Sequence, residues 1–218
     1  MIRHDRPAQI LAIALSALAG FVDACGYIAL GGFFVSFMSG NSTRLGLGLA
    51  RDMPAAIEAG SLIGTFLAGV MLGSLTGHVA RDRRRPAVLA LVSALLMAAA
   101  YLGAAQLSWP SALLLALAMG AENAVFERGG EVQIGLTYMT GTLVKFGQRL
   151  VGALLGGARL AWLPYLLLWL GLAGGAVSGA VAYLHFGPNA LWIAAAVAMG
   201  LTVVAGFMAP VDDETLSP

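Results

Sequence analysis

A single cysteine, Cys25, rules out an intrachain disulfide framework and any metal site built from several thiolates. Histidine is almost as scarce. His4, His78 and His185 lie far apart, and no His-Glu-x-x-His stretch is present to hold zinc on a helix. Charge is short as well: Asp, Glu, Lys and Arg make up 11% of the 218 residues, less than half of the roughly 25% usual in a water-soluble domain. No glycine-rich loop ending in Lys-Ser or Lys-Thr occurs, which argues against ATP-driven work by this chain alone. Ser39 has no histidine or lysine placed to act as its base, so a serine nucleophile would lack its second member. No enzymatic activity, cofactor, bound metal or nucleic-acid partner is expected.

What the sequence does have is apolar surface. Hydrophobic residues fill 59% of the positions and the mean hydropathy is +0.85, the composition of an all-α integral membrane protein whose first partner is the lipid bilayer. A helix needs about 20 apolar residues to cross roughly 30 Å of hydrocarbon. Stretches of that kind lie at 8–30, 60–79, 87–107, 110–127, 162–184 and 190–209, giving six expected spans. Trp109, Trp162, Trp169 and Trp192 suit anchoring at the membrane interface.

Two further stretches, 33–50 and 134–157, are apolar but interrupted by Gly, Ser, Thr, Asn and a cation. The positive-inside rule decides how to read them. With six spans and a cytoplasmic N-terminus, the inner side collects Arg3, Arg6, Arg81, Arg83, Arg84, Arg85, Arg128, Lys145, Arg149 and Arg159, leaving only Arg44 and Arg51 outside. A full crossing at 33–50 would send the Arg-Asp-Arg-Arg-Arg run at 81–85 outward. Both stretches are therefore expected to be re-entrant or broken helices. A cleaved signal peptide is the competing reading of the start, but the apolar run continues well beyond the cleavage-like Ala17-Leu-Ala19.

The chain also repeats itself. Gly-Phe-Val-Asp-Ala at 20–24 recurs as Gly-Ala-Glu-Asn-Ala at 120–124, and the decapeptide at 37–46 recurs at 138–147 with Arg44 opposite Lys145. Gly69, Gly73 and Gly77 are matched to Gly171, Gly175 and Gly179, so the offsets run 100, 101 and 102 residues. The expected organisation is a first repeat over 1–107, a second over 108–210, and a polar tail at 211–218. With three spans per half, the second half must enter from the opposite side, giving an inverted repeat.

These same motifs resemble the YoaK family of bacterial inner-membrane proteins. The matching pieces are Gly20, Asp23 and Ala24, then Phe33, Phe37, Met38, Ser39, Gly40 and Asn41, with second-half counterparts around 118–130 and 138–143. Ser39 stands where the family usually has threonine, a change that keeps the hydroxyl. The resemblance spans nearly the whole chain and implies a fold and a bacterial inner-membrane location; it implies no particular activity.

The polar residues inside these segments are the candidate site. An ionisable group in a span costs a few kcal/mol even on lenient scales, so Asp23 calls for a reason: an ion or proton site, or a cap on a neighbouring broken helix. Its repeat mate Asn123 cannot ionise, although the adjacent Glu122 can. Ser39, Gly40 and Asn41, and likewise Thr140, Gly141 and Thr142, suit helix openings, where hydroxyl and amide groups accept from free N–H groups. Arg44 or Lys145 one turn later would make each opening attractive to an anion, or would simply snorkel to the surface. Ser36 and Thr137 lie beside the breaks. The glycine sets at four-residue spacing suit close helix packing. The resulting expectation is a secondary transporter for a small anionic or zwitterionic solute, a channel being a variant and a non-transporting structural or regulatory protein the alternative. The glycine faces allow a homodimer.

Overall fold

The computed structural model describes residues 6–128, 131–132 and 134–208; the expected tail at 211–218 lies outside them. Eight α-helices account for most of these residues: α1 (Arg6–Ala29), α2 (Met38–Arg51), α3 (Met53–Ala80), α4 (Arg84–Ala104), α5 (Ser108–Glu122), α6 (Met139–Leu154), α7 (Leu163–Phe186) and α8 (Leu191–Gly206). The protein is an all-helical polytopic membrane protein. Four apolar helical stretches are long enough to cross a bilayer: Arg6–Ala29, Met53–Ala104, Ser108–Phe126 and Leu163–Gly206. The second and fourth each fold back on themselves through a short 3-10 turn, at Arg81–Arg83 and at Gly187–Ala190.

Local sequence explains the boundaries. The helix α3 starts seven residues before the expected 60 because Asp52 accepts from the Ala55 N–H (3.4 Å) and Pro54 supplies a first-turn residue that needs no donor. Its end falls at the arginine run, where Arg81 takes φ +48 and turns the chain into α4. Beyond α5 the chain tightens into a 3-10 turn (Asn123–Phe126) and then a minimal antiparallel pair, β1 (Glu127–Arg128) with β2 (Glu131–Val132). The expected interrupted segment at 134–157 is therefore irregular until Tyr138 and helical from Met139.

Backbone-to-backbone contacts at glycine set the helix packing. A side chain at Gly69 would strike the Leu117 carbonyl, and one at Gly73 would stand 2.6 Å from the Ala121 carbonyl oxygen, so α3 and α5 run parallel. The same contact recurs between α7 and α1, where Gly175 lies against Ala17 and Gly179 against Phe21. Gly20 and Gly120 complete each pair from the other side, against Leu172 and Phe66. Such approaches let helices gain packing that lipid does not compete for. The helices α4 and α8 run antiparallel, with Ser93 Oγ 3.0 Å from Thr202 Oγ1 and Gly103 beside Leu191. Of the four spanning stretches, those containing α1 and α5 are the most enclosed.

The glycine register differs from the sequence matching by one helical turn. Equivalent contacts relate Gly69 to Gly175 and Gly73 to Gly179, an offset of 106 residues rather than 102. Gly77 instead meets the Arg84 side chain, and Gly171 meets Ile13. The reason is a length difference between the halves: α2 and α3 are separated by Asp52 alone, whereas residues 155–162 separate α6 from α7.

This packing makes a direct prediction. Gly175→Ala forces a methyl group into the Ala17 backbone, an overpacking worth about 1–3 kcal/mol, and should lower the melting temperature of the detergent-purified protein. Gly174→Ala, at a position with nothing within 4 Å, should leave it unchanged; equal melting of the two variants would contradict the close-approach reading.

Candidate functional site

Both irregular segments return toward the helix that precedes them. After α1 the chain reverses at Gly31 and Gly32, whose φ values of +63 and +112 suit glycine, and enters the irregular run 33–37. Unwound backbone packed against apolar helices needs partners, since each buried unsatisfied group costs about 1–3 kcal/mol. Asp23, on α1, meets that need: its Oδ1 accepts from the N–H groups of Val35 and Ser36, both at 2.8 Å. Asn41 meets the rest. Its Oδ1 accepts from the Phe34 N–H (3.0 Å) and its Nδ2 donates to the Phe34 carbonyl (2.6 Å). Both backbone polar groups of Phe34 are thus held by one side-chain amide.

The second segment is tied differently. The Thr137 hydroxyl donates to Asn123 Oδ1 (3.3 Å), while Asn123 Nδ2 donates to the Met119 carbonyl (2.9 Å). Ser16, buried on α1, donates toward the carbonyls of Leu136 (3.3 Å) and Leu168 (3.1 Å), bringing this segment against α1 and α7. Residues 33–37 and 134–138 therefore both lie along α1.

Between them is a cavity of about 460 Å³. Asp23, Ser36 and Thr137 line it together, one polar wall drawn from both halves of the chain. Tyr27, Phe34 and Phe37 form an aromatic wall, with ring centroids 4.9 Å apart for Tyr27 and Phe34 and 5.2 Å for Phe34 and Phe37. Leu172 and Ala176 of α7 supply an apolar floor. The three aromatic rings were not among the residues expected from the sequence; the density of phenylalanine at 33–37 was the signal that could have found them.

The other expected residues sit elsewhere. Arg44 stacks over the Phe33 ring at 4.8 Å and lies close to Gly32, and Lys145 is exposed on α6; neither lines the cavity. Ser39, Thr140 and Gly141 are exposed or open, whereas Asn41, Asn123 and Thr142 are buried. Gly40 gives room to the Phe37 and Phe34 rings. The expected helix-opening role is corrected by the structure: α2 begins at Met38 and α6 at Met139 with no side-chain cap at either start. Ser39 to Asn41 and Thr140 to Thr142 thus fall inside the first turns, where Asn41 reaches back to Phe34 and Thr142 donates to the Tyr138 carbonyl (3.1 Å). Glu122 is fully buried, and among the described residues neither carboxyl oxygen has a hydrogen-bond partner. Arg84 and Glu127 form an ion pair at 3.2 Å that joins the start of α4 to β1.

Asn41→Leu should orphan both polar groups of Phe34. At about 1–3 kcal/mol for each buried unpaired group, the expected outcome is a lowered melting temperature with faster amide exchange across 33–37, and unchanged exchange there would show that Asn41 does not hold the segment.

Comparison with known proteins places the chain. It is 40% identical over 210 residues to the UPF0700 transmembrane protein RA0705 of Rhizobium meliloti (strain 1021), an alignment covering 93% of this chain and 88% of that one. It is 30% identical over 149 residues to the UPF0700 transmembrane protein YoaK of Bacillus subtilis (strain 168), covering 64% and 66% respectively. No solved structure matches it. Residues 11–204 match the family described as protein of unknown function (DUF1275), and with nearly the whole chain covered by that match, the protein belongs to this family of transmembrane proteins.

Proposed function

We propose that the protein is a secondary transporter of the bacterial inner membrane, which carries a small solute through the cavity between its two irregular segments. The observation that carries this reading is the joint lining of one cavity by Asp23 and Ser36 from the first half and Thr137 from the second. Broken segments that meet at a repeat interface are where secondary transporters hold their solutes, because only there is non-helical backbone compatible with membrane depth.

The proposed arrangement is six crossings, α1, α3, α4, α5, α7 and α8, arranged as two inverted repeats with both termini cytoplasmic. Two facts support it. The α1–α7 and α3–α5 pairs make the same glycine contact with the halves exchanged. Helix directions also alternate: α7 runs with α1, α5 runs with α3, and α8 runs against α4. The helices α2 and α6 then start and finish on one side each, the first on the outer side and the second on the inner. The halves can rock about the cavity, exposing it to one side and then the other.

Topology and transport are separately testable. In a Cys25→Ala background, a cysteine introduced at Arg83 should react with a membrane-impermeant maleimide only from the cytoplasmic side; reaction from outside would overturn the inverted arrangement. For transport, a Ser36→Cys, Thr137→Cys pair bridged by a bis-maleimide should abolish uptake into proteoliposomes of whichever solute a mixed panel of amines, carboxylates, amino acids and sugars reveals. Undiminished flux after bridging would refute rocking around this cavity, and an inactive panel would favour a structural or regulatory role.

A further inference from the structure

The transport reading does not say what the cavity takes; the chemistry of its walls does. Asp23 is the acidic side chain that lines it, and among the described residues no arginine, lysine or histidine does. The cation nearest in sequence to the first break, Arg44, turns its guanidinium onto Phe33 instead. Among the described residues Asp23 has no ion pair; its partners are neutral backbone N–H groups and the Ser36 hydroxyl, which orient the carboxylate but supply no opposite charge. Asp23 is a half-buried residue that lines the cavity.

The aromatic wall complements that carboxylate. Ring faces carry negative charge density and attract ammonium groups, and cages of several rings are the common device for quaternary nitrogen. Tyr27, Phe34 and Phe37 form a connected cluster, the first pair tilted at 42° and the second edge-on at 83°, so the rings do not all turn the same face inward. A cavity of about 460 Å³ falls in the size range of small-molecule sites. An anion would meet a carboxylate and three rings with no cation to offset them.

We propose that this cavity binds a small organic cation, an amine or quaternary ammonium, with its charged nitrogen between the Asp23 carboxylate and the rings of Tyr27, Phe34 and Phe37. The proposal rests on the transport reading only for the fate of the solute; binding stands on the cavity itself.

The test uses the full chain in detergent and in proteoliposomes. Benzylammonium, benzyl alcohol and benzoate share a ring and differ in charge, so titration with each isolates the electrostatic part. Benzylammonium should bind at least about tenfold more tightly than either, a gap of one affinity decade. Asp23→Asn should bring it level with benzyl alcohol, and Tyr27→Leu and Phe34→Leu should each weaken tetraethylammonium about threefold or more. If Asp23→Asn does not fold, the charge series on the unaltered protein and the two aromatic variants decide the matter. Benzoate as the tightest ligand, equal affinity across the series, or no binding by any probe would overturn the proposal. Binding of tetraethylammonium without uptake would refute transport and leave the cation site in place. Uptake of a carboxylate that organic cations do not compete with would refute the cation site and leave transport in place.

Discussion

The two hydrogen bonds that Asp23 Oδ1 accepts from Val35 and Ser36 are the constraint on which the site depends. Without them, residues 33–37 would carry free N–H groups beside apolar helices, and the chain would have to rewind or move toward water. With them, an irregular stretch of backbone is held against α1, the Phe34 ring packs against those of Tyr27 and Phe37, and a cavity is left beside them. Asn41 performs the complementary task from α2. A carboxylate and a carboxamide on two different helices thus secure one short irregular segment. The aspartate in an apolar helix has a structural partner as well as a wall of the cavity to occupy.

The second constraint is the absence of side chains at a few helix positions. Gly69 and Gly73 admit the backbone of α5, and Gly175 and Gly179 admit that of α1. Because α1 is clamped to α7 in this way and also carries Asp23, the first irregular segment is positioned by a helix whose own placement depends on the far end of the chain. Ser16 strengthens that dependence, since its hydroxyl reaches carbonyls of both Leu136 and Leu168. No half of the molecule assembles the cavity alone.

Much of this was legible in the sequence, for reasons that also mark where legibility ends. Six apolar runs separated by polar breaks are read directly from hydropathy, and each expected stretch overlaps a helix of the bundle. The two interruptions are read from Gly, Ser, Thr and Asn at intervals too short for a continuous apolar span. The glycine register was not legible: the extra residues between α6 and α7 leave no mark in two weakly similar halves, and evenly spaced glycines fit equally well one turn away. The task of Asn41 was not legible either, because a residue that caps a helix and one that clamps the preceding loop have the same chemistry and differ only in where the helix starts. Arg44 was expected to face a solute, yet an arginine beside a phenylalanine-rich run finds an aromatic face closer to hand.

The separation between α6 and α7 has a mechanical consequence. Asp52 alone joins α2 to α3, Gly48 packs closely on Ala56, and the pair forms a tight hairpin that any displacement must carry as a rigid block. The helix α6 hangs from a run of intervening residues, 155–162, with Gly156 at φ +93 and nothing crowding its Cβ position. The two helix pairs are therefore joined unequally, α2 to α3 through one residue and α6 to α7 through the eight residues 155–162.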